Sequence, residues 1–178
     1  NAVTDPLSSI SQFKYKIALP APALYAQFKM VSQVDKVDRV LSGLKAMGFD
    51  DVFEVAKGAE ICSKAIAKEL EKPGIRPLIS SACPAVVRLI QVRFPELLDN
   101  VVKVDAPVEV AAKVAKQEFA RKNNVDISDI GAYFITPCPA KMTSIKSPLA
   151  KEKSDVDGAI SILEVYGLLT GQLKSADA

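Results

Sequence analysis

Ile130-Gly131-Ala132-Tyr133-Phe134-Ile135-Thr136, followed at once by Pro137-Cys138-Pro139-Ala140-Lys141, is the stretch on which the fold turns. It is the most β-like run in the chain, and proline closes it. Working backwards from it, residues 108–122 read as a helix. Residues 84–93 read as another, with Pro84 in the first turn, where proline is tolerated. A short apolar strand is expected over residues 77–80, after a Pro73-Gly74 turn. Residues 56–70 predict a helix with Ile61, Ala65 and Ile66 facing inward, and residues 51–55 a strand. Val34, Val37, Val40, Leu41 and Leu44 recur at helical spacing within residues 33–47, which Gly48 ends. Lys16-Ile17-Ala18-Leu19 reads as the first strand, stopped by Pro20-Ala21-Pro22. Working forwards, residues 143–154 form a Pro-, Ser- and Lys-rich loop. Residues 156–160 predict a further strand, and a helix then runs to about residue 173.

Strands alternating with helices of ten or more residues imply an α/β fold. The expectation is a mostly parallel sheet of four to five strands flanked by helices, in a single domain spanning residues 1–178. Asn1-Ala2 reads as the remnant of a cleaved tag, with the native segment starting near Val3.

Composition excludes several function classes. The net charge of +2 is too weak to argue for nucleic acid or an anionic membrane surface. No apolar stretch reaches the roughly 18 residues that span a bilayer. The chain has no His, which removes His-based acid–base catalysis and His-ligated metal sites. Its three cysteines, Cys62, Cys83 and Cys138, argue against a disulfide scaffold and for a reducing, cytoplasmic setting.

In open parallel sheets, sites lie beyond the carboxyl ends of the strands. Two expected strand ends carry a cysteine beside proline, in Ser80-Ser81-Ala82-Cys83-Pro84 and in Thr136-Pro137-Cys138-Pro139. Cys83 also precedes a helix N-terminus, where the dipole favours a thiolate. Several readings stay open here. A strand-end cysteine is often a small buried hydrophobe, and two of them also suit a redox disulfide. Two ligands are too few for a closed zinc site. A nucleophilic cysteine wants a His partner. Half of a thiolate-ligated iron–sulfur site is the remaining chemistry. Cys62, on a helix with Ile61, Ala65 and Ile66, reads as a packing residue, and Lys141 on its own as a solvated loop lysine.

The motifs resemble those of iron-only hydrogenases. Ser80-Ser81-Ala82-Cys83-Pro84 is similar to Thr-Ser-Cys-Cys-Pro. Thr136-Pro137-Cys138-Pro139-Ala140-Lys141 is similar to Met-Pro-Cys-x-x-Lys-x-x-Glu. Ala21-Pro22-Ala23 resembles an Ala-Pro-Ser or Ala-Pro-Ala segment beside the family's active site, and Phe94-Pro95-Glu96-Leu97-Leu98 and Asp155-Val156-Asp157 fall where similar words occur. The resemblance runs from about Tyr15 to Leu169. It implies that Cys83 and Cys138 are ligands of the 4Fe-4S cubane of an H-cluster. It also implies that Lys141 donates to a cyanide of the di-iron subsite, which Pro22 and Ala23 line. A cationic donor suits such an anionic ligand. The implied reaction is reversible, two protons and two electrons giving dihydrogen.

Departures from the motifs shape the expectation. Ala82 replaces the cysteine that serves as proton donor beside the di-iron site. Ser144 stands where the second motif ends in Glu, and the 56–70 helix carries Cys62-Ser63-Lys64 where catalytic members carry acidic residues. These changes resemble the sensory branch of the family, with slow turnover. A third motif, with the other two cubane cysteines, is absent. The chain therefore reads as the N-terminal lobe of the two-lobed domain. By itself it is expected to bind no intact H-cluster, to be inactive, and to self-associate through exposed cleft surface. A ferredoxin-type donor or a signalling domain is the implied partner. The alternatives are a hydrogenase-like iron–sulfur assembly protein with a 4Fe-4S cluster and no di-iron subsite, and a non-catalytic α/β interaction domain with a redox cysteine pair.

Overall fold

The computed structural model describes residues 12–28, 37–149 and 151–176, with side chains described to residue 170. Asn1-Ala2, the expected tag remnant, and residues 33–36 of the helix expected over residues 33–47 lie outside the described residues.

The strands are β1 (Tyr15–Pro20), β2 (Asp51–Val52), β3 (Ile130–Thr136) and β4 (Gly158–Ser161). They form one sheet in the order β2-β1-β3-β4, and every pairing is parallel. The pairing of β1 with β3 forms the centre, running from Tyr15 opposite Ile130 to Pro20 opposite Ile135. All seven residues of β3 are buried. Helices cover both faces, which is why the central strands read as continuous apolar runs. The helices of the described residues are α1 (Ala23–Phe28), α2 (Val37–Ala46), α3 (Val55–Glu71), α4 (Pro84–Arg93), α5 (Pro107–Asn123), α6 (Pro139–Lys146) and α7 (Ile162–Ala176). The fold is α/β, as expected.

Alternation along β1 and β3 sorts the core into two clusters. Ala18, Tyr133 and Ile135 pack with Leu24 and Phe28 of α1, Val40 and Leu44 of α2, and Val165 and Leu169 of α7. Ile17, Leu19, Ile130, Ala132 and Phe134 pack against Val108, Ala111, Ala112, Ala115 and Phe119 of α5. Gly48 ends the α2 turn at φ +101°, a conformation that glycine adopts without a Cβ clash. Helix α5 is tied to the sheet edge by charge. Lys116 Nζ lies 2.5 Å from Asp157 Oδ2, and both side chains are largely buried. The same Oδ2 accepts from the β3 amide of Ala132 at 2.8 Å.

Four expectations need correction. Residues 77–80 are not a strand of the sheet; only Ile79 forms a bridge, with Val101. The run is too short to bring a ladder of its own, and the central sheet is complete without it. Strand β2 stops at Val52, because Val55 already opens α3. Residues 143–146 continue helix α6 rather than opening a loop, since Pro139 at the first helical position starts a helix there. Within α3, Ile61 is exposed, and the buried positions are Val55, Gly58 and Cys62. Ala65 and Ile66 are only half-buried.

The last correction has a steric cause. Helix α3 packs on α5 rather than on the sheet, through its smallest residues. A Cβ at Gly58 would stand 2.3 Å from the Pro107 carbonyl oxygen and 2.9 Å from the Cβ of Ala111. Only glycine permits that approach. Gly58→Ala is therefore expected to lower stability by about 1–3 kcal/mol, read as a shift in the urea midpoint. A midpoint equal to that of the unsubstituted protein would contradict this account of the seam.

Candidate metal centre

Cys83 and Cys138 occupy equivalent positions in two separate elements. Each is the N-cap of a helix, α4 for Cys83 and α6 for Cys138, and each is followed by proline at the first helical position. Their backbone angles nearly coincide, at φ −105°, ψ 105° for Cys83 and φ −99°, ψ 108° for Cys138. Their carbonyls accept the first helical bonds, from Val87 N at 3.1 Å and Met142 N at 3.2 Å. Neither side chain caps its own helix, which leaves both thiols uncommitted. Helices α4 and α6 pack against each other. Neither is paired in a disulfide; Cys83 is exposed and Cys138 partly buried.

Hydroxyl side chains shape both approaches. Thr136, buried at the end of β3, accepts from Cys138 N at 3.2 Å. Ser80 accepts from Ala82 N at 3.3 Å. In each case a side-chain oxygen bonds an amide two residues on, a local turn that aims the chain into the following helix. The supports differ, however. Cys138 leaves the central strand directly, whereas Cys83 follows a segment outside the sheet.

The other expected site residues fall around these two. Ala21 N donates to Ile135 O at 3.0 Å, so Pro22 and Ala23 leave β1 at the sheet edge where β3 leads to Cys138. Both are exposed. Tyr25, in the first turn of α1, donates to Glu54 Oε1 at 2.9 Å and bridges the ends of β1 and β2. Burial, reinforced by Glu54, pushes the Tyr25 phenol well above its usual range. Ala82 is half-buried and offers only a methyl group beside Cys83.

Lys141 lies in the first turn of α6, its Nζ 5.9 Å from the ring centre of Phe134. It lines a cleft of about 690 Å³ shared with Ser81, Pro84, Val87, Asp105 and Glu109. That volume is within the usual range for ligand clefts. Ser144, at the position of the motif's Glu, donates to Lys141 O at 2.9 Å and also faces the cleft.

One part of this cleft was not foreseen. Lys151 Nζ reaches Asp155 Oδ2 at 2.6 Å, Glu109 Oε2 at 3.0 Å and Asp105 Oδ2 at 3.5 Å. Burial acts against the ammonium, but hydrogen bonds to Asp155 and Glu109 hold it charged well above the usual lysine range. Only the Lys151–Asp155 spacing was visible in the sequence; the Glu109 contact is made by the fold.

Cys62 stands apart from the pair. It is buried against α5, and its Sγ donates to the Asp105 carbonyl at 3.3 Å. Burial, with the nearby Asp105 charge, pushes the thiol up. This is a packing cysteine. Among the described residues no group of three or more His, Cys, Asp or Glu side chains is placed to hold a metal ion. Cys83 and Cys138 are two thiols, and a cubane takes four.

Residues 14–175 match the family described as iron only hydrogenase large subunit, C-terminal domain. The chain belongs to this family. Iron hydrogenase 1 of Clostridium pasteurianum is 26% identical over 166 residues, covering 88% of this chain and 29% of that protein. The cytosolic Fe-S cluster assembly factor of Yarrowia lipolytica is also 26% identical, over 135 residues, covering 71% of this chain and 28% of its own. The chain thus spans less than a third of these curated relatives. The apo FeFe hydrogenase of Chlamydomonas reinhardtii superposes with a TM-score of 0.72 at 19% identity, over 94% of this chain and 47% of that one. At that identity the likeness establishes the fold, and it agrees with the hydrogenase-domain sheet described above.

The burial pattern orders the three thiols by reactivity. In metal-free, reduced protein, iodoacetamide is expected to label Cys83 and Cys138 early and Cys62 on the order of a hundredfold later, as its labelling requires local opening. Peptide-resolved mass spectrometry reads this order. Early labelling of Cys62 would contradict its packing role.

Proposed function

We propose that this chain is the lobe of an iron-only hydrogenase-type domain that contributes Cys83 and Cys138 to a 4Fe-4S cluster. The observation that carries the reading is the repeated geometry: two uncommitted thiols, each capping one of two packed helices, in one backbone conformation. The two remaining cubane thiolates and the rest of the site come from elsewhere in the whole protein. When bound, the cluster supplies electron storage and, with a di-iron subsite, the chemistry of dihydrogen.

The residues of this chain have definable tasks in such a site. Cys83 and Cys138, at the N-termini of α4 and α6, supply two of the cluster's sulfur ligands. Lys141 offers a cationic donor at the cleft, suited to an anionic diatomic ligand. Pro22 and Ala23 contribute apolar surface at the same sheet edge as Cys138. Ala82 holds no exchangeable proton, so proton delivery beside Cys83 is cut at that step. Slow turnover, suited to sensing dihydrogen and passing the state to a ferredoxin-type donor or signalling domain, follows from that loss.

Helix α4 supports a second lobe. Its sequence is apolar around much of its circumference, yet Ile90 alone is buried, and Val86, Leu89 and Val92 are exposed. A helix of that composition belongs under cover. Without its covering lobe the same face is expected to make the chain self-associate.

The whole protein, loaded anaerobically with iron, sulfide and a di-iron precursor, is expected to show sharp infrared bands of metal-bound carbon monoxide and cyanide. Absence of those bands, with a 4Fe-4S paramagnetic signal retained, would overturn the hydrogenase-type reading and favour iron–sulfur assembly. Absence of both signals would leave a plain α/β interaction domain.

A further inference from the structure

Cys138 is held by the sheet, because β3 is buried along its length and Thr136 bonds its amide. Cys83 has no such support. Residues 77–80 attach to the fold through the chain at residues 100–102. Ile79 N donates to Asn100 O at 2.8 Å, Val102 N to Ile79 O at 2.9 Å, and Asn100 Nδ2 to Pro77 O at 2.7 Å. Beyond Ile79 this backbone pairing stops, four residues before Cys83. The turn that follows is tied by a side chain. Ser81 Oγ donates to the Val104 carbonyl at 2.5 Å, and Ser81 is half-buried.

The acceptor is itself anchored. The next carbonyl, of Asp105, accepts from Cys62, and the Asp105 carboxylate meets Lys151. Lys151 is in turn held by Glu109 of α5 and by Asp155. Ser154 and the Asp155 amide also bond the Glu109 carboxylate, at 2.5 and 2.8 Å. The segment carrying Val104 is thereby fixed to α5 and to the chain entering β4. A connected path of hydrogen bonds and ion pairs runs from the turn before Cys83 to α5 and to the chain that enters β4.

We infer that Ser81 is a positioning residue, whose hydrogen bond to the Val104 carbonyl sets where Cys83 stands relative to Cys138. The consequence for a shared cluster rests on the function proposed above; the placement of the thiol does not. Ser81 touches no reacting atom. Removing its hydroxyl frees the turn and leaves the Val104 carbonyl without this donor, while the sheet-held Cys138 keeps its place.

The test uses the metal-free, reduced protein and its Ser81→Ala and Ser81→Thr variants, with alkylation rates of all three cysteines resolved by mass spectrometry. Ser81→Ala is expected to change the Cys83 rate about fivefold relative to Cys138, the scale of one hydrogen bond. Ser81→Thr, which keeps the hydroxyl, is expected to restore the ratio. An unchanged ratio in Ser81→Ala overturns the inference. So does a joint rise of all three rates, Cys62 included, because Ser81 would then support the whole fold rather than one thiol. Loading the full protein with iron and sulfide separates the two claims. No 4Fe-4S signal in the unsubstituted protein would sink the proposed function and leave the thiol rates standing. A normal signal with identical rates in Ser81→Ala would sink the tether alone.

Discussion

Parallel pairing of β1 with β3 is the constraint on which the rest of this structure depends. The register joins Tyr15 to Ile130 and Pro20 to Ile135. Both strands therefore end at one edge, and whatever follows them must meet there. A parallel sheet also needs cover on both faces. The side chains of β1 and β3 divide between two clusters, one under α1, α2 and α7 and the other over α5. Helix α5 meets the sheet through Ala111, Ala112 and Ala115, and α3 docks on α5 where Gly58 meets Pro107 and Ala111. That docking buries Cys62 and fixes Asp105, from which the cleft wall is built.

The candidate centre combines two kinds of support for two equivalent cysteines. Sheet hydrogen bonding carries Cys138, and side-chain tethers carry Cys83. Nearly equal backbone angles arise on both because the local chemistry is the same: a hydroxyl residue, a short turn, cysteine, then proline opening a helix. Rigid elements hold a ligand geometry better than loops do. The asymmetry between the two supports makes the Cys83 side the adjustable one. The Lys151–Glu109 pair, the most shielded part of that cluster, limits that freedom, since a partly buried ion pair is costly to separate.

Much of this was legible in the sequence. The limits of β3 were readable because seven consecutive residues between proline and polar boundaries have no competing pattern. The strand at β1 and the helices at α4 and α5 were readable for similar reasons, and the two cysteine motifs stood out by their prolines. What failed were the judgements that depend on partners far away in sequence. Residues 77–80 look like a buried strand, but strand identity needs a neighbour, and theirs is a single bridge to Val101. Ile61 fits an inward helical face, but α3 packs through its smallest side chains, so the larger residue points outward. The salt-bridge cluster was invisible because Glu109 and Lys151 are 42 positions apart. Ser81 was read as part of a motif, whereas its bond to Val104 appears only once the fold is known.

In the proposed function, Cys83 and Cys138, and not Cys62, are ligands of one iron–sulfur cluster. The most direct measurement is iron and acid-labile sulfide content, with the paramagnetic signal, in the full-length protein and in its Cys62→Ala, Cys83→Ala and Cys138→Ala variants. The account predicts that Cys62→Ala retains the cluster, and that Cys83→Ala and Cys138→Ala each lose it or change its signal. A cluster of unchanged content and signal in both Cys83→Ala and Cys138→Ala would contradict the account.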